Sequence, residues 1–263
     1  MKFIVDHDYH IHSYLSLCSH DDEHTPARIL QYAKEHGLKK ICLTDHFWDE
    51  TVPGASGWYQ KQNYAHVAEA LPLPTDPDVE FVFGCETDMD KFLTVGLAPE
   101  HYDRFGFIII PTTHLHMKDF TIDADATLEQ RAEAYVKRFD KVLSMDLPFH
   151  KVGIAHLTCS LMANATPEDH LTVLDMISDE EFTRLFTKAA KLGVGIELNF
   201  PADGYSEADL PRVLRPYKIA KTCGCKFYVG SDSHKVREQE EGYANLLAMV
   251  DLLDLEESDK FTF

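Results

Sequence analysis

Short apolar runs rich in β-branched and aromatic residues alternate along the chain with longer stretches whose apolar positions recur every three or four residues. The runs "KFIVDHDYH" (2–10), "KKICLTDH" (39–46), "VEFVFGCET" (79–87), "FGFIIIPTTH" (105–114), "KVGIAHLT" (151–158), "VGIELNF" (194–200) and "KFYVGSDSH" (226–234) have the length and composition of buried strands. Between them, helix ends are legible. Thr25 with Pro26 opens "ARILQYAKEH" and Gly37 closes it, and Ser178 with Glu181 is expected to form a capping box ahead of "FTRLFTKAAKLG". Further helical patterns are "TLEQRAEAYVKRFDKVLSM", "DLPRVLRPYKIAKTC", which prolines interrupt, and "EGYANLLAMVDLLDL". This alternation is the sequence form of βα units around a parallel sheet, so the expected class is α/β. An α/β barrel of roughly 200 to 250 residues is commonly one unit, which makes 1–263 a single expected domain. The loosest stretch, "WDETVPGASGWYQKQN" (48–63), reads as a lid or insertion.

Composition narrows the function classes. No apolar run approaches the ~20 residues that span a bilayer, and "MKFIVDHD" meets charge too early for a secretory signal, so a cytoplasmic protein is expected. Six scattered cysteines suit reduced thiols better than a disulfide framework, and "CGC" at 223–225 lacks a second pair for a thiolate metal site. A formal charge of −19 argues against extended nucleic acid as a partner, because binding of phosphate by the general surface rests on Lys and Arg.

The strand ends carry the chemistry. In parallel α/β folds these ends share one face. Here the first run ends in His10 and His12, the second in Asp45 and His46, the third in Glu86, the fourth in His114, the fifth in His156 and the seventh in Asp232 and His234. The sixth, near Asn199, offers no obvious strong ligand. Alternate residues of a strand point the same way, so His10 with His12, and Asp232 with His234, are expected to face one mouth, with His20 folding back from the following loop. A lone strand-end histidine is more often a hydrogen-bonded structural residue. Recurrence at six of seven ends has no such packing explanation, and imidazole with carboxylate suits Zn, Mn or Fe. His116 competes with His114 in "TTHLHM", and His24 with His20; His36 suits a helix C-terminus.

Together "DYHIHS", "SH" (19–20), "LTDH" (43–46), "GCE" (84–86), "TTHL" (112–115), "IAHL" (154–157) and "GSDSH" (230–234) resemble the PHP family (polymerase and histidinol phosphatase), above all its stand-alone histidinol-phosphatase-like branch. The resemblance implies a distorted (β/α)7 TIM-like barrel with three divalent metal ions, Zn, Mn or Fe, at the C-terminal ends of the strands. It places His10, His12, Glu86 and Asp232 on one ion, Glu86, His114 and His156 on a second, and His20, His46 and His234 on a third. Asp8 and Asp45 become groups that orient neighbouring imidazoles. The reaction implied is in-line hydrolysis of a small-molecule phosphomonoester by metal-activated hydroxide. The proton donor to the leaving alcohol stays open between a metal-bound water, Asp45 and His116.

Histidinol phosphate phosphatases of this type are expected to carry arginine after the sixth strand, where this chain reads "IELNFPADGYSEAD". That departure separates the metal assignment from the substrate. Trp48, Trp58 and Tyr59 on the lid are candidate substrate contacts. The competing classes are a nucleotide phosphodiesterase or exonuclease, an amidohydrolase-like hydrolase, and a metal-binding protein without turnover. Oligomeric state has no signature in the chain.

Overall fold

A computed structural model describes residues 1–201 and 204–263. Its strands are β1 (His7–Ile11), β2 (Lys40–Leu43), β3 (His46–Phe47), β4 (Glu80–Phe83), β5 (Cys85–Thr87), β6 (Ile108–Pro111), β7 (Val152–Ala155), β8 (Gly195–Leu198) and β9 (Lys226–Val229). Its helices are α1 (Pro26–Glu35), α2 (Tyr64–Val67), α3 (Leu128–Val142), α4 (Asp169–Met176), α5 (Asp179–Leu192), α6 (Leu210–Thr222) and α7 (Glu238–Leu252). The second and third sequence runs each break in two, at Thr44–Asp45 and at Gly84, so seven runs give nine strands. The short helices α2 and α4 carry too little periodicity to be read from the chain.

The caps show what local sequence decided. Thr25 accepts the Arg28 N–H and Pro26 opens α1, as expected. Ser178 accepts the Glu181 N–H, but the Glu181 carboxylate turns to Arg184 at 2.6 Å, so only half of that capping box forms. The reciprocal box lies on α3 instead, between Thr127 and Gln130. Helix α6 runs through Pro216, and α7 begins three residues before the expected start.

All strand pairs are parallel. One sheet has the order β1-β2-β4 and the other β3-β5-β6-β7-β8-β9. The two are halves of one distorted ring, since β2 runs into β3 and β4 into β5. Its ends meet where Ile11 pairs with Ser233: Asp232 N–H donates to the His10 carbonyl at 2.8 Å and His12 N–H to the Ser233 carbonyl at 3.0 Å. Lower in that seam a side chain replaces the ladder, as Val229 N–H donates to His7 Nε2 at 3.1 Å. The chain is therefore a distorted TIM-like α/β barrel.

Strand alternation divides the core. Ile108, Ile110, Val152, Ile154, Ile196, Leu198, Phe227 and Val229 point outward into the apolar layer beneath the helices. Tyr9, Phe107, Ile109, Ala155 and Tyr228 point inward, where Phe261 plugs the floor. Gly153 is required here: a Cβ would lie 2.4 Å from the Tyr228 hydroxyl oxygen. With the lower interior filled by rings, the titratable residues collect above them. No helix among the described residues is long and apolar enough to cross a membrane.

Candidate metal centre

His10 and His12 bring two imidazole nitrogens face to face, with Nε2 atoms 3.1 Å apart. Their tautomers follow from the other ring nitrogen. His10 Nδ1 lies 2.6 Å from Glu197 Oε1, which only accepts, so Nδ1 carries the proton. Ser16 spends its single hydroxyl proton on Asp45 Oδ1 at 2.6 Å, so the same oxygen accepts from His12 Nδ1 at 2.9 Å. Both Nε2 atoms are thus lone pairs in the neutral rings. Two carboxylates join them: Asp232 Oδ1 at 3.3 and 3.0 Å, and Glu86 Oε2 at 3.6 and 3.4 Å, from His10 and His12 respectively. Four acceptors therefore converge without a donor. Only a shared proton or a cation relieves that repulsion in a buried site.

Glu86 is the hub. Its Oε1 lies 3.2 Å from His156 Nε2 and 3.9 Å from His114 Nε2, and its Oε2 lies 2.9 Å from His46 Nδ1. His46 Nδ1 and Glu86 Oε2 are buried and make no aligned hydrogen bond. The donor groups of His10, His12 and Glu86, of Glu86, His114 and His156, and of His12, His46 and His234 each lie within 4.8 Å of one another. Orphaned ligand atoms of imidazole and carboxylate type, at this spacing, fit divalent cations.

The protonation directions follow the same field. Burial opposes charge on His10 and His12, yet Glu197, Asp232 and Glu86 outweigh it for His10, and Asp232 and Glu86 raise His12 to about 9. Burial would raise the Glu86 carboxyl, but His46 and His10 hold it well below the ordinary range. His46 is lowered by burial, and His234 falls to about 3 through burial and the charge of His12. A cation that enters displaces protons from the raised imidazoles.

Two carboxylates that sequence reading passed over support the ring. Glu197, in the run that seemed to lack a ligand, is fully buried; besides His10 it accepts the His156 backbone N–H at 2.7 Å. Gly230 makes room, since a Cβ there would stand 2.1 Å from Glu197 Oε1. Asp88 accepts from His114 Nδ1 at 3.0 Å, from the Tyr59 hydroxyl at 3.1 Å and from the buried Arg138 at 2.6 Å. The available signal was an acidic residue inside an apolar run at 197, and a second one two positions beyond Glu86 at 88. His156 (φ 32°) and Asp232 (φ 53°) hold left-handed backbone at their strand ends, a strained conformation common at functional sites.

The remaining expected residues fall elsewhere. His20 is exposed and joins none of these clusters; His12 stands with His46 and His234 in its place. His24 is buried and paired with Gln239 at 3.0 Å. Asp45 accepts from Ser13 and Ser16, touching His12 only through Ser16, and does not line the cavity. Asp8 accepts the His10 and Ser231 N–H groups and the Tyr32 hydroxyl, with no imidazole partner; burial raises its carboxyl to about 6. His116 stands at the cavity rim, lowered to about 4 by burial and by His114. The loop after β8 includes positions 202 and 203, outside the described residues.

Residues 8–201 match the family model described as the PHP domain. No curated protein matches the sequence. Among solved structures, the histidinol phosphate phosphatase of Lactococcus lactis subsp. lactis Il1403, complexed with zinc, L-histidinol and phosphate, is similar over 98% of this chain and 99% of its own, at 16% identity and a TM-score of 0.58. A Bacillus sp. AR9 D-hydantoinase matches at 10% identity and TM-score 0.41 over 86% of this chain and 46% of its own. A probable 2-pyrone-4,6-dicarboxylic acid hydrolase of Acinetobacter baumannii, with citric acid bound, matches at 12% identity and TM-score 0.42 over 97% of each chain.

Proposed function

Because the chain belongs to the PHP domain family, we propose that it is a metal-dependent phosphoesterase that hydrolyses a small-molecule phosphomonoester. The observation that carries this reading is the convergence of His10, His12, Glu86 and Asp232, which with neutral imidazoles present four acceptors to one point. His10, His12, Glu86 and Asp232 would hold one ion, and Glu86 with His114 and His156 a second. His46 and His234 would hold a third, with His12 rather than exposed His20 nearest to them. Divalent cations in such a cluster draw phosphate oxygens and acidify water.

The protein's own groups do the positioning. Glu197 and Ser16 keep Nδ1–H on His10 and His12 so that both Nε2 lone pairs face the centre, and Asp88 does the same for His114. Asp45 accepts the proton of Ser16 and so holds that chain in one direction. Of the two side chains considered as proton donor, His116 lines the cavity and Asp45 does not; burial holds the His116 imidazole at about 4 and so neutral near pH 7, which keeps a metal-bound water beside it as the donor. A cavity of about 180 Å³ is small for an ester with two organic arms, which supports a monoester over a diester. The L-histidinol and phosphate bound by the structurally similar Lactococcus lactis enzyme support the same reading.

The test is elemental analysis of gently purified protein, coupled to phosphate release from a monoester panel and to cleavage of a dinucleotide. Glu86→Gln is expected to lose bound metal and at least about a hundredfold in kcat/KM. Full metal content with full activity in that variant, or cleavage of the dinucleotide alone, would overturn the reading.

A further inference from the structure

The segment 48–63 is pinned at both ends. Trp48 is buried, its indole N–H donating to the Val52 carbonyl at 3.0 Å, and its backbone N–H reaches the Gln62 carbonyl at 3.0 Å, which ties the two ends of the segment together. Tyr59 is buried too and donates its hydroxyl to Asp88 at 3.1 Å, the carboxylate that also holds His114. Phe120 packs on both rings at 5.5 and 5.6 Å between centroids.

Of the three aromatics, Trp58 and Tyr59 both line the cavity, and only Trp58 stays half-buried there. Its ring meets His46 edge-on at 5.1 Å and Tyr59 at 4.8 Å, so the Tyr59 anchor fixes where it stands. Met117 and Leu161 line the same cavity as His46, Glu86, His114, Asp232 and His234. The cavity lining thus combines imidazole and carboxylate groups with the apolar surfaces of Trp58, Met117 and Leu161.

Size and charge define what fits. The cavity of about 180 Å³ is small, and the phosphate shares it, so the space left for the alcohol is that of one compact group. No lysine or arginine is among the described residues that line it, so a second anionic group on the alcohol would meet apolar surface without a counter-charge. Resting on the phosphomonoesterase reading above, we propose that Trp58, with Met117 and Leu161, receives the alcohol portion of the ester. The preferred substrates then carry one flat, uncharged, apolar group next to the phosphate.

The test uses the full metal-loaded chain with benzyl phosphate and ethyl phosphate, whose leaving alcohols are of similar acidity. Native protein is expected to favour the benzyl ester by about tenfold or more in kcat/KM, a difference of about 1.4 kcal/mol. Trp58→Ala should shrink that ratio to within about threefold, mainly through KM, while Trp58→Phe keeps most of it. Binding is read independently of turnover by titrating tryptophan fluorescence with benzylphosphonate; quenching is expected in native protein and absent in Trp58→Phe. A native ratio near one, or equal losses on both esters in Trp58→Ala, would overturn the inference. If no phosphate ester is turned over, the phosphoesterase reading fails by itself. Quenching that depends on Trp58 then still supports the apolar lining, and its absence rejects it.

Discussion

Glu197 carries two jobs on two oxygens: one accepts from the His10 ring and the other from the His156 backbone. Replacing it by Gln leaves a single acceptor oxygen. If that oxygen serves His156, the amide NH2 faces His10 Nδ1, which must then become a lone pair and turn Nε2–H into the centre. If it serves His10, two N–H donors collide at His156. Either way an imidazole aimed at the cluster is disturbed, so Glu197→Gln is expected to weaken metal affinity by about 10- to 100-fold. Competition with a chelator measures this directly, and unchanged affinity would show that Glu197 is only a packing group.

At the scale of elements, the seam between β1 and β9 depends on a side chain, because an imidazole stands in for a backbone carbonyl. His7 Nε2 must stay unprotonated to accept from Val229 while Nδ1 donates to Asp6 at 3.1 Å. Burial lowers His7 below 6.5, against the pull of Asp6; Lys260 opposes the proton as well, and Glu257 favours it. Asp6 itself is held at about 2 by His7 and Lys260. Since the folded His7 binds its proton less readily than the unfolded one, stability is whole above pH 6.5 and declines as pH falls below it. The contribution approaches about 1.4 kcal/mol per pH unit. Urea unfolding of chelator-treated protein at pH 7.5 and 5.5 should show a shallower acid loss in His7→Gln, whose amide oxygen can still accept from Val229. Identical slopes would remove His7 from the account.

The whole molecule depends on filling the barrel below the site. Phe261 is buried against Phe107 and Tyr228, with ring centroids 6.2 Å away in each case, and its N–H continues the seam to the Phe227 carbonyl at 2.7 Å. Phe261→Ala opens the floor and is expected to cost about 3 to 5 kcal/mol in urea unfolding. Metal affinity should change little, because the cluster lies at the opposite end of the strands. An unchanged unfolding midpoint would show that the floor collapses to fill the space.

Periodicity, caps and strand-end chemistry are local, so the chain by itself determined the α/β class, the seven runs, most helices and nearly all the imidazoles that gather at one mouth. Which half of a capping box closes, where a strand breaks, and whether His12 or His20 stands beside His46 and His234 depend on neighbours far away in sequence. Glu197 and Asp88 were hidden for the same reason: a carboxylate declares its role only when its partners, residues away along the chain and ångströms away in space, are known. Only the tertiary structure could bury Trp48 and Tyr59 and leave Trp58 half-buried at the cavity, because burial belongs to the packed molecule rather than to the residue type.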